Sequence, residues 1–221
     1  MAAIADYNTL SAEVKAWCAR SDSVFSARMP VLVELAEERL YNGHDLGAET
    51  SPLWSPPLRT RAMEATASVT VTSGAGTLPD DMLALRKVTR ANDDTGLTYV
   101  DPTTYDKQVA AAGGVGGVPA LYTVEAATIR LVPSWSGPLT LLYYQRLPAI
   151  SPDNQTNALI AAHGLAYFQA TMFEAFSFMQ EPDLALGWLA KYRATVLGIN
   201  ATALATRMGG ARARMSIRAI G

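Results

Sequence analysis

Apolar residues recur along the chain in three regimes, and each regime predicts a different kind of element. In the first, Leu10, Val14 and Trp17 fall at spacings of four and three, and after the polar break Arg20-Ser21-Asp22-Ser23 a second helical run carries Leu32, Leu35, Ala36, Arg39 and Leu40. Pro30 suits a first helical position, where its missing N–H costs little, and Asn42-Gly43 supplies a stop. From about Leu53 to Pro148 the punctuation changes to short β-branched and apolar runs divided by Gly, Pro and Asn-Asp turns. Strands are expected over 67–72, 83–89, 97–100, 120–124, 128–132 and 139–145, with hairpin turns at 93–96 and 125–127. A short helix over 102–109 could be capped by Asp101 or Thr103.

After Pro148 the helical period returns. Leu159, Ala162, Leu165, Ala166, Gln169, Met172, Phe173, Phe176 and Met179 form one stripe on a helix about 33 Å long, with Ser151 or Asp153 as candidate caps. Gln180-Glu181-Pro182-Asp183 breaks it. A second long helix then carries Ala185, Trp188, Leu189, Tyr192, Val196, Ile199 and Leu204, and the short connection makes the two antiparallel neighbours. Gly209-Gly210 ends the pattern, and a tail from 207 to 221 could reach about 50 Å if extended. The expectation is an α+β protein, a long-helix bundle with a central β-rich insertion and an extended C-terminal arm. Its segments are 1–52 for the N-terminal helices, 53–148 for the insertion, 149–206 for the long helices and 207–221 for the arm.

Composition narrows the class without naming a chemistry. With 221 residues, 49% of them hydrophobic, the chain can bury roughly 70% of its unfolded surface, enough for one sizeable core or two small ones. Met1 to Asp6 carry no basic stretch followed by an apolar run, so export is not expected. The uncharged stretch between Asp153 and Glu174 is long enough to span a bilayer, but Asn154, Gln155, Asn157, His163 and Gln169 interrupt it at helical spacing, which predicts a buried amphipathic helix. A lone Cys18 excludes an internal disulfide and suits a packed apolar thiol. The net charge of −2 conceals a division: residues 1–183 hold 12 basic groups against all 20 acidic ones, a formal −8, whereas the rest holds six cations and no acid. Such a basic end wants an acidic partner.

Candidate catalytic features are weak. Gly113-Gly114-Val115-Gly116-Gly117 lacks the Gly-Lys-Ser/Thr ending that a phosphate loop requires and is expected to be a mobile loop. His44, in a turn, and His163, on the polar side of a helix, have neither metal-ligand spacing nor a nucleophile elbow beside them. Asp80-Asp81 and Asp93-Asp94 stand beside Pro or Gly, where aspartate serves turns. Asn154-Gln155-Thr156 and Asn200-Ala201-Thr202 match a glycosylation pattern that matters only in an exported chain. No catalytic residue, cofactor or metal is expected. What stands out is Arg207, Arg212, Arg214 and Arg218, interleaved with Met215, Ile217 and Ile220 rather than with aromatics, a pattern suited to an extended segment docking on a protein groove or sheet edge.

The order of several stretches resembles the head-to-tail adaptor, or connector, proteins of tailed bacteriophages. These are Leu78-Pro79-Asp80-Asp81-Met82-Leu83-Ala84-Leu85-Arg86-Lys87-Val88, Pro102 to Tyr105, and Gly117-Val118-Pro119-Ala120-Leu121-Tyr122 leading to Ile129-Arg130-Leu131-Val132-Pro133. Leu142-Tyr143-Tyr144 with Leu147-Pro148 follows, then Thr156-Asn157 through Glu174-Ala175 to Trp188 and Tyr192. The resemblance covers most of residues 5–200; the glycine loop and the tail after Gly209 find no counterpart in it. It implies a virion component assembled in the host cytoplasm: a ring of twelve copies bound to the portal protein and to a tail or nozzle protein, with double-stranded DNA passing through unread and no membrane involved. The alternatives are another tail component, a terminator or stopper, or a small DNA-binding protein.

Overall fold

The computed structural model describes residues 4–45, 50–51, 53–91, 93, 95–113 and 116–207. They form two compact units, one built from residues up to Met63 and from Leu147 onward, the other from Glu64–Arg146.

The first unit is helical. Helix α1, Tyr7–Trp17, starts on a capping box in which Asp6 accepts from the Thr9 amide at 2.7 Å and Thr9 Oγ1 accepts from the Asp6 amide at 3.2 Å. Helix α2 spans Ser23–Asn42 and differs from the expected start at Pro30, which lies inside it. The polar break is what begins it: Asp22 accepts from the Phe25 amide at 3.0 Å. An interior proline costs about 3 kcal/mol, but the earlier start buries Phe25 and Met29 completely, worth about 1.5–3 kcal/mol each. Gly43 ends α2 at φ 67, and a Cβ there would press on the Ser55 carbonyl at 2.6 Å, so glycine is required as the sequence suggested.

Helix α4 covers Ala158–Phe178 and α5 covers Pro182–Arg207, joined by a tight turn with Gln180 at φ 60. Asn157, neither Ser151 nor Asp153, caps α4, accepting from the amides of Leu159 and Ile160 at 3.0 and 2.9 Å. The α4 backbone leaves helical geometry at His163 (φ −136, ψ 41). α4 packs against α1, α2 and α5. Its central position explains why Ala166, Tyr167, Phe168, Ala170, Met172, Phe173 and Ala175 are buried on every side of it. The stripes expected on these helices are only partly internal. Ala162, Leu165, Leu204 and, on α2, Leu35 are exposed, while Ala203 takes the inward place on α5.

Residues 53–63 belong with the helices, so the boundary falls later than the expected residue 53. Leu58 is fully buried and donates to the Leu40 carbonyl, the Arg59 amide donates to Asn200 Oδ1 at 2.8 Å, and Asn200 Nδ2 donates to the Pro57 carbonyl at 2.9 Å.

The second unit holds two sheets around one core. Strands β1 (Glu64–Val71), β7 (Gly137–Gln145) and β3 (Met82–Arg90) pair antiparallel in the order β1-β7-β3, and β2 (Ala75–Thr77), β6 (Thr128–Val132), β5 (Leu121–Glu125) and β4 (Thr98–Tyr99) form the other sheet in that order. Val69, Val71, Val88, Leu139, Leu141 and Tyr143 of one sheet meet Tyr122, Ile129 and Leu131 of the other. The turn at 125–127 joins β5 to β6 as expected. The turn at 93–96 does not make the expected hairpin. Beyond a single Thr89–Gly96 bridge the chain leaves β3, and β4 runs parallel to β5 instead. Helix α3, Pro102–Ala112, is capped by Asp101, ends on left-handed Gly113 and packs on β5 and β6. Of the glycine run expected to be mobile, Gly113 closes α3 and the Gly117 amide donates to the Ser134 carbonyl, while Gly114 and Val115 lie outside the described residues.

Candidate functional site

Of the residues assigned to the arm, the structure places Arg207 as the last residue of α5, so the arm cannot begin there as an extended segment. Arg212, Arg214, Met215, Ile217, Arg218 and Ile220 lie outside the described residues.

The polar groups inside the helical unit hold helices together. Glu37 is buried on the apolar face of α2 and accepts from the Ile150 amide at 3.1 Å and from the Tyr167 hydroxyl at 2.9 Å, while Asn157 Nδ2 donates to the same hydroxyl at 3.2 Å. Burial, and then the neighbouring Glu37 carboxylate, drive the Tyr167 phenol well above its ordinary value. Arg39 Nε pairs with Glu174 at 3.1 Å, and the guanidinium carbon lies 4.3 Å over the Phe173 ring; burial raises the Glu174 carboxyl, with Arg39 opposing. None of these residues stood out in the sequence as chemistry, although a glutamate beside Ala36 and Leu40 on an apolar helix face was a visible sign of a buried acceptor.

The candidates weighed as catalytic have structural partners. His163 is half-buried rather than solvated, its Nε2 lies 3.0 Å from Thr60 Oγ1, and burial lowers its pKa, so the ring is neutral at neutral pH. His44 exchanges backbone hydrogen bonds with Ser55. Asp81 accepts from the Tyr143 hydroxyl at 3.2 Å, and Asp93 is paired with Arg90 and accepts from the Thr95 amide at 2.8 Å. Burial pushes the Cys18 thiol up to about 11, which removes its nucleophilicity at neutral pH. Among the described residues no three His, Cys, Asp or Glu side chains gather as a metal site.

The described residues of the helical unit present apolar surfaces and a shallow trough. Val24, Val31 and Leu35 stand out from α2 at 62, 44 and 46% exposure. Trp17 lies edge-on to Phe168 and Trp188, with Lys191 Nζ 4.1 Å above the Trp188 ring. Along α5, a trough of about 420 Å³ runs over Ala194, Gly198 and Thr202, with Thr60, Arg61 and His163 on its other wall. No helix among the described residues is long and apolar enough to cross a membrane.

Comparison with known families agrees with a structural role. The family model of the SU10 adaptor protein matches residues 5–216. The chain belongs to this family of phage head-to-tail adaptors. Membership makes it a structural component of the virion rather than an enzyme, and one whose class joins portal and tail components. The adaptor match also extends past Gly209, where the sequence resemblance had found no counterpart, and takes in most of the basic tail. No curated protein matches the chain.

Proposed function

We propose that this adaptor assembles as a ring of twelve beneath the portal, framing the channel through which DNA leaves, and that residues 208–221 carry the arm that grips the portal. The observation that carries the reading is the family match, which spans residues 5–216 and so reaches from the N-terminal helices into the tail. The composition of that tail supplies the chemistry. Arg212, Arg214 and Arg218 can make forked contacts with portal carboxylates while Met215, Ile217 and Ile220 enter an apolar groove, as an extended segment does when it docks on a groove or sheet edge. Long helices supply rigid elements that can stand side by side around a ring, and the β-rich unit is the part that meets the tail or nozzle protein. Ordering the arm on binding costs a few kcal/mol. Many simultaneous contacts around a closed ring offset that cost, so single subunits are expected to bind the portal weakly and the full set tightly.

The test is removal of residues 208–221, which leaves α5 intact. Circular dichroism and melting should be unchanged, while co-sedimentation with the cognate portal should be lost. Wild-type binding by the shortened chain would overturn the arm assignment. Cryo-electron microscopy of the portal mixed with the full chain reads symmetry and docking site directly. A density seated at the distal end of the tail would favour a terminator or stopper instead.

A further inference from the structure

The geometry points to a head-to-tail contact between neighbouring copies, in which the α2 ridge of one subunit lies in the α5 trough of the next. This rests on the ring reading above and says which surfaces make it. The ridge is apolar: Val24, Val31 and Leu35 recur at seven and four on the exposed side of α2, about a third of a turn round from its buried Phe25, Met29 and Ala36, and Val31 and Leu35 also wall a groove beside Arg28 and Phe178. The trough is concave and is floored by small side chains, Ala194, Gly198 and Thr202, and a Cβ built on Gly198 would meet no atom within 4 Å. Large side chains on one surface and small ones on the other are what ridge-into-groove packing of helices needs.

Charge selects the same pairing. Glu34, exposed beside Leu35 on the ridge, and Arg61, exposed on the trough wall, make no ion pair among the described residues. Beyond Asp183 the charged residues of α5 are Lys191, Arg193 and Arg207, all cationic, so two α5 surfaces repel each other, whereas the outer surface of α2 sets Glu34 and Glu38 against Arg28 and is attracted to α5. Ridge and trough are different patches on one chain. Their contact is therefore heterologous, the kind that repeats around a ring until it closes.

The experiment uses the full chain carrying Cys18→Ala with either Leu35→Cys or Gly198→Cys, assembled on the cognate portal and treated with a short bis-maleimide. Covalent dimers should form when the two variants are mixed and be at least tenfold scarcer with either alone. In a second measurement, Gly198→Leu should melt no lower than wild type yet assemble at least tenfold less, because the added side chain fills the trough without touching the subunit's own core. Rings that form without the mixed cross-link, or that Gly198→Leu leaves unaffected, overturn this contact and leave the ring reading standing. Absence of rings under every condition overturns both. An intrachain link from Gly198→Cys to Ile217→Cys would place the arm in the trough and also overturn the contact.

Discussion

Glu37 shows how a single buried group can fix the meeting of three segments. Its carboxylate satisfies the Ile150 amide and the Tyr167 hydroxyl at once, so Glu37→Ala leaves two buried donors unpaired. A loss of about 2–4 kcal/mol is expected, read as a lower denaturant midpoint, with Glu37→Gln losing markedly less because its amide oxygen still accepts. His163 acts through protonation. Its pKa is lowered in the folded chain, so above the ordinary value near 6.5 both states carry a neutral ring and stability is unaffected. As the pH falls through that value the unfolded chain takes up a proton that the folded one resists, and stability declines. Melting followed between neutral and mildly acidic pH should show that decline in wild type and a shallower one in His163→Gln. The sequence hinted that Glu37 is buried but showed neither partner, because each lies more than a hundred residues away, Tyr167 for Glu37 and Thr60 for His163.

At the scale of elements, local signals were legible and pairings were not. Hydrophobic period located the helices to within a turn, apart from the starts of α2 and α4, and found six of the seven strands. β2 escaped because Ala75-Gly76-Thr77 has little strand propensity of its own and exists by pairing with β6. The proline rule failed at Pro30 because tertiary burial outweighed a local penalty, and the turn at 93–96 misled because a turn residue says where a chain bends but not which sheet it joins next. Three helical glycines separate local preference from packing in a way that can be measured. A Cβ at Gly164 would clash with the Ile4 carbonyl oxygen, so Gly164→Ala should destabilise by about 1–3 kcal/mol as overpacking does. Gly187 and Gly198 face open space, so alanine at either should stabilise by about 0.5–1 kcal/mol through helix propensity alone. Thermal melts of the three single variants test both signs together.

Across the whole molecule the segregation of charge, acidic up to residue 183 and wholly basic beyond it, was visible in the sequence, whereas the surfaces it serves emerged only when the fold brought α2 and α5 into one unit. If arginines of the tail hold the portal, attraction between exposed ions must be weakened by salt, since the screening length shrinks from about 30 Å at 0.01 M to about 3 Å at 1 M. Portal affinity of the full chain should therefore fall at least tenfold between low and high salt, measured at fixed pH, and the chain lacking 208–221 should show neither the affinity nor the slope. Replacing Arg212, Arg214 and Arg218 with lysine keeps the charge and hence most of the salt dependence, but removes the planar fork that engages a carboxylate through two hydrogen bonds. That triple variant should bind more weakly at every salt concentration with a similar slope. An affinity indifferent to salt would move the grip from the arginines to Met215, Ile217 and Ile220, because burial of apolar surface does not depend on screened charge.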